Sequence, residues 1–453
     1  MTVQWRAQPP ASAAIRPFSF PVVTRKRLDN GLTVLHARHG TLPVVALRLV
    51  VAAGAATEPV EQAGLTRLVA GTLDAGTDRH DGAELAWEFE RLGVELEMHA
   101  GWDAIALEAN VPGSRVDAAL ELMAEVALGA AFVDREVHRV RGEQLAEILQ
   151  RRAEPRALAD DSALRFIFAD GTRFARPLVG VRETVETLGR EDLAGFRDAL
   201  FAPHNTALVI VGNLDASAAA DVASRHLGGW TGAGVSTVNA PVASRADRSE
   251  VHIVHRPGAV QSELRVGHVG VERAHPDYVP LLVMNAILGG MFTSRLNLNL
   301  RERHGFTYGV RSGFGFRRAG GLFVTATAVA TDVTARATEE VMGELRRMHD
   351  SGATAEEVGT ARDYLAGVMP LELQTAGEVA DALSELFVHD LPDDWHSRHR
   401  EALATVPDQE VARVADQHLH PDAAAIVVVG DADAIESDLG ALASGTIHRH
   451  TIE

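Results

Sequence analysis

The sequence predicts an α+β fold built twice over: two homologous domains of about 220 residues, each a largely antiparallel sheet covered by helices. Three features carry that reading: a long internal repeat, short β-branched runs alternating with helical periodicity, and a hairpin pattern in the second half. The segment from Pro203, PHNTALVIVGNLD, recurs from Pro421 as PDAAAIVVVGDAD, an offset of 218 residues. Near the start of each half, Val34-Leu35-His36 matches Ile253-Val254-His255 at an offset of 219, and strand-like runs follow at Val45–Val50 and Leu264–Val269. A near-constant offset over so long a spacing is the mark of a duplicated domain, not of a short solenoid repeat.

Taken in chain order, residues 1–24 form an extended arm, with prolines at positions 9, 10, 17 and 21. Residues 25–229 form the first domain. Residues 230–249 have the Gly, Ser, Ala and Pro composition of a linker, and residues 250–453 form the second domain. The runs Leu208–Val211 and Ile426–Val429 read as strands, whereas Val116–Leu128 and Ala335–Met348 repeat apolar residues at three- and four-residue steps and read as helices. A hairpin is expected at Val310–Phe316 and Leu322–Val329 around the turn RRAGG.

Composition excludes several functions. Forty-three Lys and Arg against 62 Asp and Glu give a formal charge of −19, which repels a phosphate backbone, so nucleic acid is not an expected partner. With no cysteine there are no disulfides, thiolate metal sites or cysteine nucleophiles. No apolar stretch approaches the ~20 residues of a membrane helix, and the first residues do not read as a signal peptide. The cytoplasm is the expected compartment, the periplasm the alternative. No G-x-S-x-G elbow, P-loop or post-strand G-x-G-x-x-G is present, which leaves serine hydrolysis, nucleotide hydrolysis and dinucleotide binding without support. His396 and His399 read as a solvated helix end, His418 and His420 as flanking a surface turn, and His448 and His450 as a terminal tail.

The first half carries, in order, LDNGLTVL, AGAATEP ending at Pro59, Gly64-Leu65 opening a helix, AGT ending at Thr77, RFARPLVGVRETVETLGREDLAGF, and PHNTALVIVGNLD. From about Leu28 to Asp433 this succession resembles the pitrilysin, insulin-degrading enzyme and mitochondrial processing peptidase family, in particular its short-chain members that work as pairs of subunits. Catalytic members of that family carry an inverted zinc motif, H-x-x-E-H, on the helix that begins at the place of Gly64. Its two His bind the metal and its Glu activates the metal-bound water. Here the three positions fall on Arg67, Ala70 and Gly71. A guanidinium has no lone pair for a metal, a methyl accepts no proton, and glycine has no side chain.

The family's third ligand, a Glu about 76 residues beyond the second His, corresponds to Glu147 in EQLAEILQRRAEP. Two readings of Glu147 stay open: a solvated helix residue, or a partner for Arg67, whose charge would replace that of the metal. In the second half, LGGMFTSRLNLNLRERHGFTYGVRSGF from Leu288 is similar to the family's L-G-G-x-x-S-R-L-x-x-x-L-R-E-x-x-G-L-A-Y. The resemblance implies that Arg301 and Tyr308 hold peptide near a partner's zinc and donate hydrogen bonds to the carbonyl oxygen as it gains charge. Local patterning predicts a short helix over Arg295–Arg303, capped by Ser294 and stopped by Gly305, with a strand starting after Phe306. The alternative is an exposed Arg and a Tyr packed in the core.

The expected function is therefore a non-catalytic subunit of a heterodimeric zinc metallopeptidase. It binds no cofactor itself, its zinc lies in a homologous partner subunit, and its substrate is an unfolded peptide. A structural or peptide-binding protein without any role in proteolysis, and a peptidase recruiting metal through other ligands, are the competing readings.

Overall fold

The computed structural model describes residues 18–232, 234, 242–442 and 446–451. The first 17 residues of the expected arm, and residues 233 and 235–241 of the expected linker, lie outside the described residues.

Two six-stranded mixed sheets make an α+β architecture. The first contains β1 (Val23–Arg27), β2 (Thr33–Arg38), β3 (Val44–Val51), β4 (Leu96–Ala100), β5 (Ile105–Pro112) and β6 (Thr206–Gly212), in the order β1-β2-β6-β3-β5-β4. The second contains β7 (Glu250–His255), β8 (Gln261–Gly270), β9 (Val310–Arg317), β10 (Gly320–Ala330), β11 (Ala425–Gly430) and β12 (Ile447–Thr451), in the order β12-β7-β11-β8-β10-β9. Five strands follow one topology in both sheets, including the parallel pairs β2–β6 and β7–β11. The sixth differs: β1 enters antiparallel beside β2, while β12 returns from the C-terminal side parallel to β7.

Strand registers refine the repeat. Val34 lies opposite Leu208 and Val251 opposite Ile426, so the first strands correspond at an offset of 217 rather than 219. A shift of two residues keeps every side chain on the same face, so the apolar pattern alone does not distinguish the two alignments. The expected hairpin forms as β9 and β10. Arg317 pairs with Gly320, which leaves Arg318 and Ala319 as a two-residue turn, and Gly320 takes φ +111°.

One face of each sheet packs on helices of its own half. Leu47, Leu49 and Leu208 of the first sheet lie against Leu68, Val69 and Met123, and Val266 and Val428 of the second against Leu281, Val341 and Leu345. The opposite faces are covered crosswise. Helix Ala376–Val388 of the second half places Val379, Ala380 and Leu383 on Leu35, Ala46, Val209 and Val211 of the first sheet. Helix Pro155–Ile167 of the first half places Ala159, Ala163 and Phe166 on Val254, Val427 and Val429 of the second.

Local sequence starts both crossing helices. Thr375 and Glu378 form a reciprocal capping box, and Pro155 supplies a first-turn proline while forcing Glu154 into an extended conformation that ends the preceding helix, Asp134–Ala153. A matching ion pair secures each crossing: Arg48 Nε to Asp381 at 2.9 Å, and Arg265 Nε to Asp160 at 2.6 Å.

Two histidine expectations are corrected and a third in part. His396 is buried, donates from Nε2 to the Ala382 carbonyl at 2.9 Å and stacks on Phe20, because its helix packs beside Ala376–Val388. His448 and His450 lie on β12 and stack on His252, not in a free tail. His418 is half-buried and bonds to Asp277 at 2.7 Å, whereas His420 is exposed as expected, with its ring edge-on to buried His268. Among the described residues no helix is long and apolar enough to cross a membrane.

Candidate functional site

The helix that holds Arg67 and Ala70, Leu65–Ala70, is short and anchored by a buried carboxylate. Glu58 accepts hydrogen bonds from the backbone N–H of Gly64, at 3.0 Å, and of Thr66, supplying the negative charge that a helix start favours. Arg173 donates from Nε to Glu58 at 2.6 Å, with 0% of the Glu58 side chain and 4% of the Arg173 side chain exposed. Arg173 also donates to the carbonyls of Arg176, Pro177 and Leu178, which holds a third segment against the same helix start. Gly64 itself has φ +102°, and a Cβ there would meet the Val179 carbonyl oxygen at 2.7 Å.

Helix Asp134–Ala153 lies alongside. Gln144 Nε2 donates to the carbonyls of Gly64 and Val179, and one turn on, Glu147 Oε2 stands 3.7 Å from Arg67 Nη2. Ala70 is buried, and a Cβ on Gly71 would sit 3.0 Å from a Val140 methyl and 3.5 Å from the Arg67 guanidinium. The space beside Glu147 is thus taken by a cation.

These residues do not fit a zinc ion. Arg67, Ala70 and Gly71 offer no ligand atom, which leaves one carboxylate where three protein ligands are needed. The neighbouring acids are engaged: Arg151 holds Asp161 through two bonds of 3.1 and 2.5 Å, and Arg265 holds Asp160. Among the described residues, two other groups stand close enough to share an ion, His275–Asp277–His418 and His255–Asp431–Asp433. In the first, Arg413 occupies both Asp277 oxygens and, with His418, holds that carboxyl down at about 2. In the second, Asp431 accepts from the Gly258 N–H and Asp433 pairs with Arg449 at 2.8 Å.

The second-half segment differs in detail from its expected form. The helix begins at Arg295 but winds as a π-helix over Asn297–Arg303, as the five-residue bond from His304 N–H to the Asn299 carbonyl shows, and a wider bond from Phe306 N–H to the Leu300 carbonyl closes its end. Ser294 accepts from the Asn297 side chain and not from a backbone N–H. Gly305 ends the helix at φ +63°, and the strand begins at Val310, later than expected. Buried Asn297 explains the delay: its Oδ1 accepts from Val310 N–H at 3.1 Å and its Nδ2 donates to the Met291 carbonyl, tying strand, helix and loop together.

That geometry leaves Tyr308 93% exposed, so its ring is not part of the core. The Arg301 guanidinium lies 4.4 Å from the centre of the Phe292 ring and 5.4 Å from that of Tyr308. All three line a cavity of about 980 Å³ floored by the outward residues of β8 and β10. Arg67 and Glu147 line a second cavity of about 460 Å³, and Arg311 borders both. Arg67 is thus brought to Glu147, and Arg301 to Tyr308, while the two pairs occupy adjoining cavities.

Comparison with known proteins decides the family. A model described as "Insulinase (Peptidase family M16)" matches residues 33–180, and one described as "Peptidase M16 inactive domain" matches residues 187–365. The chain belongs to peptidase family M16. Among M16 relatives, an uncharacterised zinc protease of Bacillus subtilis, YmxG, is 21% identical over 78% of this chain and 85% of its own. A zinc protease of Mycobacterium bovis is 26% identical over 77% of this chain and 80% of its own. The crystal structure of a peptidase M16 inactive domain from Pseudomonas fluorescens superimposes with a TM-score of 0.84 at 24% identity, covering 90% of this chain and 98% of that one. A protease from Helicobacter pylori gives 0.83 at 16% identity, covering 90% and 99%. These solved structures share the fold. Within this M16 chain, the first family model spans Arg67 to Glu147 and the second spans Arg301 and Tyr308.

Three residues of the site escape sequence reasoning. Glu58 is legible only as part of AGAATEP. Phe292 looks like an ordinary core residue yet is 69% exposed. Arg311 carries no pattern at all, because its importance lies in bordering both cavities.

Proposed function

We propose that this M16 chain is the metal-free, non-catalytic subunit of a two-subunit zinc peptidase, completing the active site of a homologous zinc-bearing partner on an unfolded peptide. The observation that supports it most is the pairing of a zinc helix without ligands with an Arg301–Tyr308 pair that stands open to the cavity of about 980 Å³. Zinc in the partner supplies the activated water. In this chain, the Arg301 guanidinium and the Tyr308 hydroxyl are donors for the peptide carbonyl, whose oxygen gains charge as the bond is attacked. Phe292 stacks on the guanidinium by its ring face, which orients the charge without using its N–H donors. Glu302 pairs with Arg301 through Nε at 3.5 Å, and with 57% of its side chain exposed that pair is screened by water.

The test is turnover of an unstructured peptide by this chain mixed with a homologous subunit that carries an intact zinc motif. Arg301→Ala and Tyr308→Phe should each lower that turnover by about 10²–10³-fold, the usual effect of removing one oxyanion donor. Neither change should alter the melting temperature, since Tyr308 contributes nothing to the core. Turnover unchanged by both substitutions would refute the donor role and favour a structural or peptide-binding protein.

A further inference from the structure

Although the chain carries a net charge of −19, the wall of the cavity that holds Arg301 and Tyr308 has the opposite sign. Its charged lining residues are Arg156, Arg265, Arg301 and Arg311, with Glu263 as the one carboxylate. Glu263 is bonded to Arg265 at 2.9 Å, and Arg265 also holds Asp160, so both carboxylates are engaged and this group keeps one net negative charge against the three remaining guanidinium groups. Arg156 and Arg311 are both exposed, and their side chains make no hydrogen bond or ion pair with any described residue. Two uncompensated guanidinium groups therefore join Arg301 in a concave site of a strongly acidic molecule. A recess lined by one sign of charge with low-dielectric walls concentrates its field on whatever enters.

The floor beneath them is shaped for an extended chain. Strand β10 turns Ala326, Ala328 and Ala330 outward into this cavity and Leu322 and Val324 into the adjoining one, a continuous run of small to medium side chains. Arg311 sits directly across from Ala326 in the β9–β10 register, at the junction of the two cavities. Arg156 comes from the crossing helix Pro155–Ile167, on the other side of the floor. A peptide lying along β10 would pass between them.

We propose that Arg156 and Arg311 make the cavity selective for acidic peptide segments, pairing with Asp or Glu side chains or with a terminal carboxylate. Guanidinium groups suit that task because their fork of donors matches a carboxylate in two-point geometry. This assignment rests on the peptidase-subunit reading and deepens it by naming the substrate class.

The experiment is binding, not cleavage: fluorescence anisotropy of the full chain with a labelled, unstructured Glu-containing peptide of about 15 residues, and with its Gln and Lys counterparts. The Glu peptide should bind at least about tenfold tighter than the Gln peptide at low salt, with the preference shrinking as salt rises. The double variant Arg156→Glu, Arg311→Glu should lose that preference and favour the Lys peptide, with an unchanged melting temperature because both side chains are exposed. Equal binding of the three peptides would overturn the proposal, as would unchanged discrimination by the double variant or tighter binding of a single-stranded oligonucleotide of the same length. Because no turnover is read, this selectivity can fail while the Arg301 and Tyr308 result stands, and the reverse.

Discussion

Arg67 and Glu147 stand 3.7 Å apart, but each side chain keeps 42% of its surface exposed. An ion pair in that setting contributes ~0–1 kcal/mol, because water and salt screen it and two long side chains lose freedom. On the proposed reading the pair fills the place that the metal takes in catalytic relatives and adds little to fold stability. Four residues of the same neighbourhood allow a direct contrast. Removing Arg67 or Glu147 should change unfolding free energy by less than about 1 kcal/mol. Glu58→Gln should cost about 3–5 kcal/mol, because it strands the Arg173 guanidinium in the interior and loosens the bonds to Gly64 and Thr66 N–H. Urea unfolding of the three variants decides the matter, and equal losses would contradict the division between a solvent-screened pair and a buried anchor. The replacement was legible in the sequence because Arg67, Ala70 and Gly71 break a motif of fixed spacing. The anchor was not, since nothing local to Glu58 reveals that Arg173, 115 residues on, will reach it.

At the scale of elements, the long strands and helices were legible because they repeat at clean periods: Thr206–Gly212 and Val116–Gly129 contain the stretches expected of them. The Asn297–Arg303 turn was not. Its widened winding is set by the long-range bonds of Asn297 to Val310 and of Asn299 to Glu340 and Glu344, none of which has a local signature. The strand β12 was missed for a related reason: five residues with two histidines carry no apolar alternation, and their place is fixed by β7. Here His252 stacks on Phe166 at 4.0 Å and lies against His448 and His450. Burial, and then the neighbouring imidazoles, push His252 down from 6.5 to about 3. A histidine depressed in the folded state favours folding while neutral. Its contribution is complete above pH 6.5 and is lost as the pH falls from there toward 3. The melting temperature should therefore drop on acidification through that window, and His252→Phe should make the drop shallower. An identical pH slope in the variant would show that this stack does not couple strand β12 to protonation.

For the whole molecule, the decisive feature is the exchange of covering helices between halves. Duplication was visible in the repeated PHNTALVIVGNLD and PDAAAIVVVGDAD segments, but the exchange was not. An amphipathic helix shows in sequence that it has an apolar face, not which sheet will receive it. Residues 18–232 expressed alone would lack Ala376–Val388 and expose Leu35, Ala46, Val209 and Val211, which are all fully buried in the intact chain. That fragment should bind a hydrophobic dye and associate, whereas the full chain should not; a monomeric, dye-free fragment would show that the first half needs no cover from the second. The same cross-bracing joins the helix of Arg67 and the Arg301–Tyr308 pair in adjoining cavities, the arrangement that the proposed division of labour between two subunits requires. The most direct test of that account is elemental analysis of the purified chain after equilibration with zinc, beside its Glu147→Ala variant and an assay of peptide cleavage without any partner. No zinc whose binding depends on Glu147, and no cleavage, is the predicted result. Close to one equivalent of zinc that disappears with Glu147, together with cleavage by the chain alone, would contradict it.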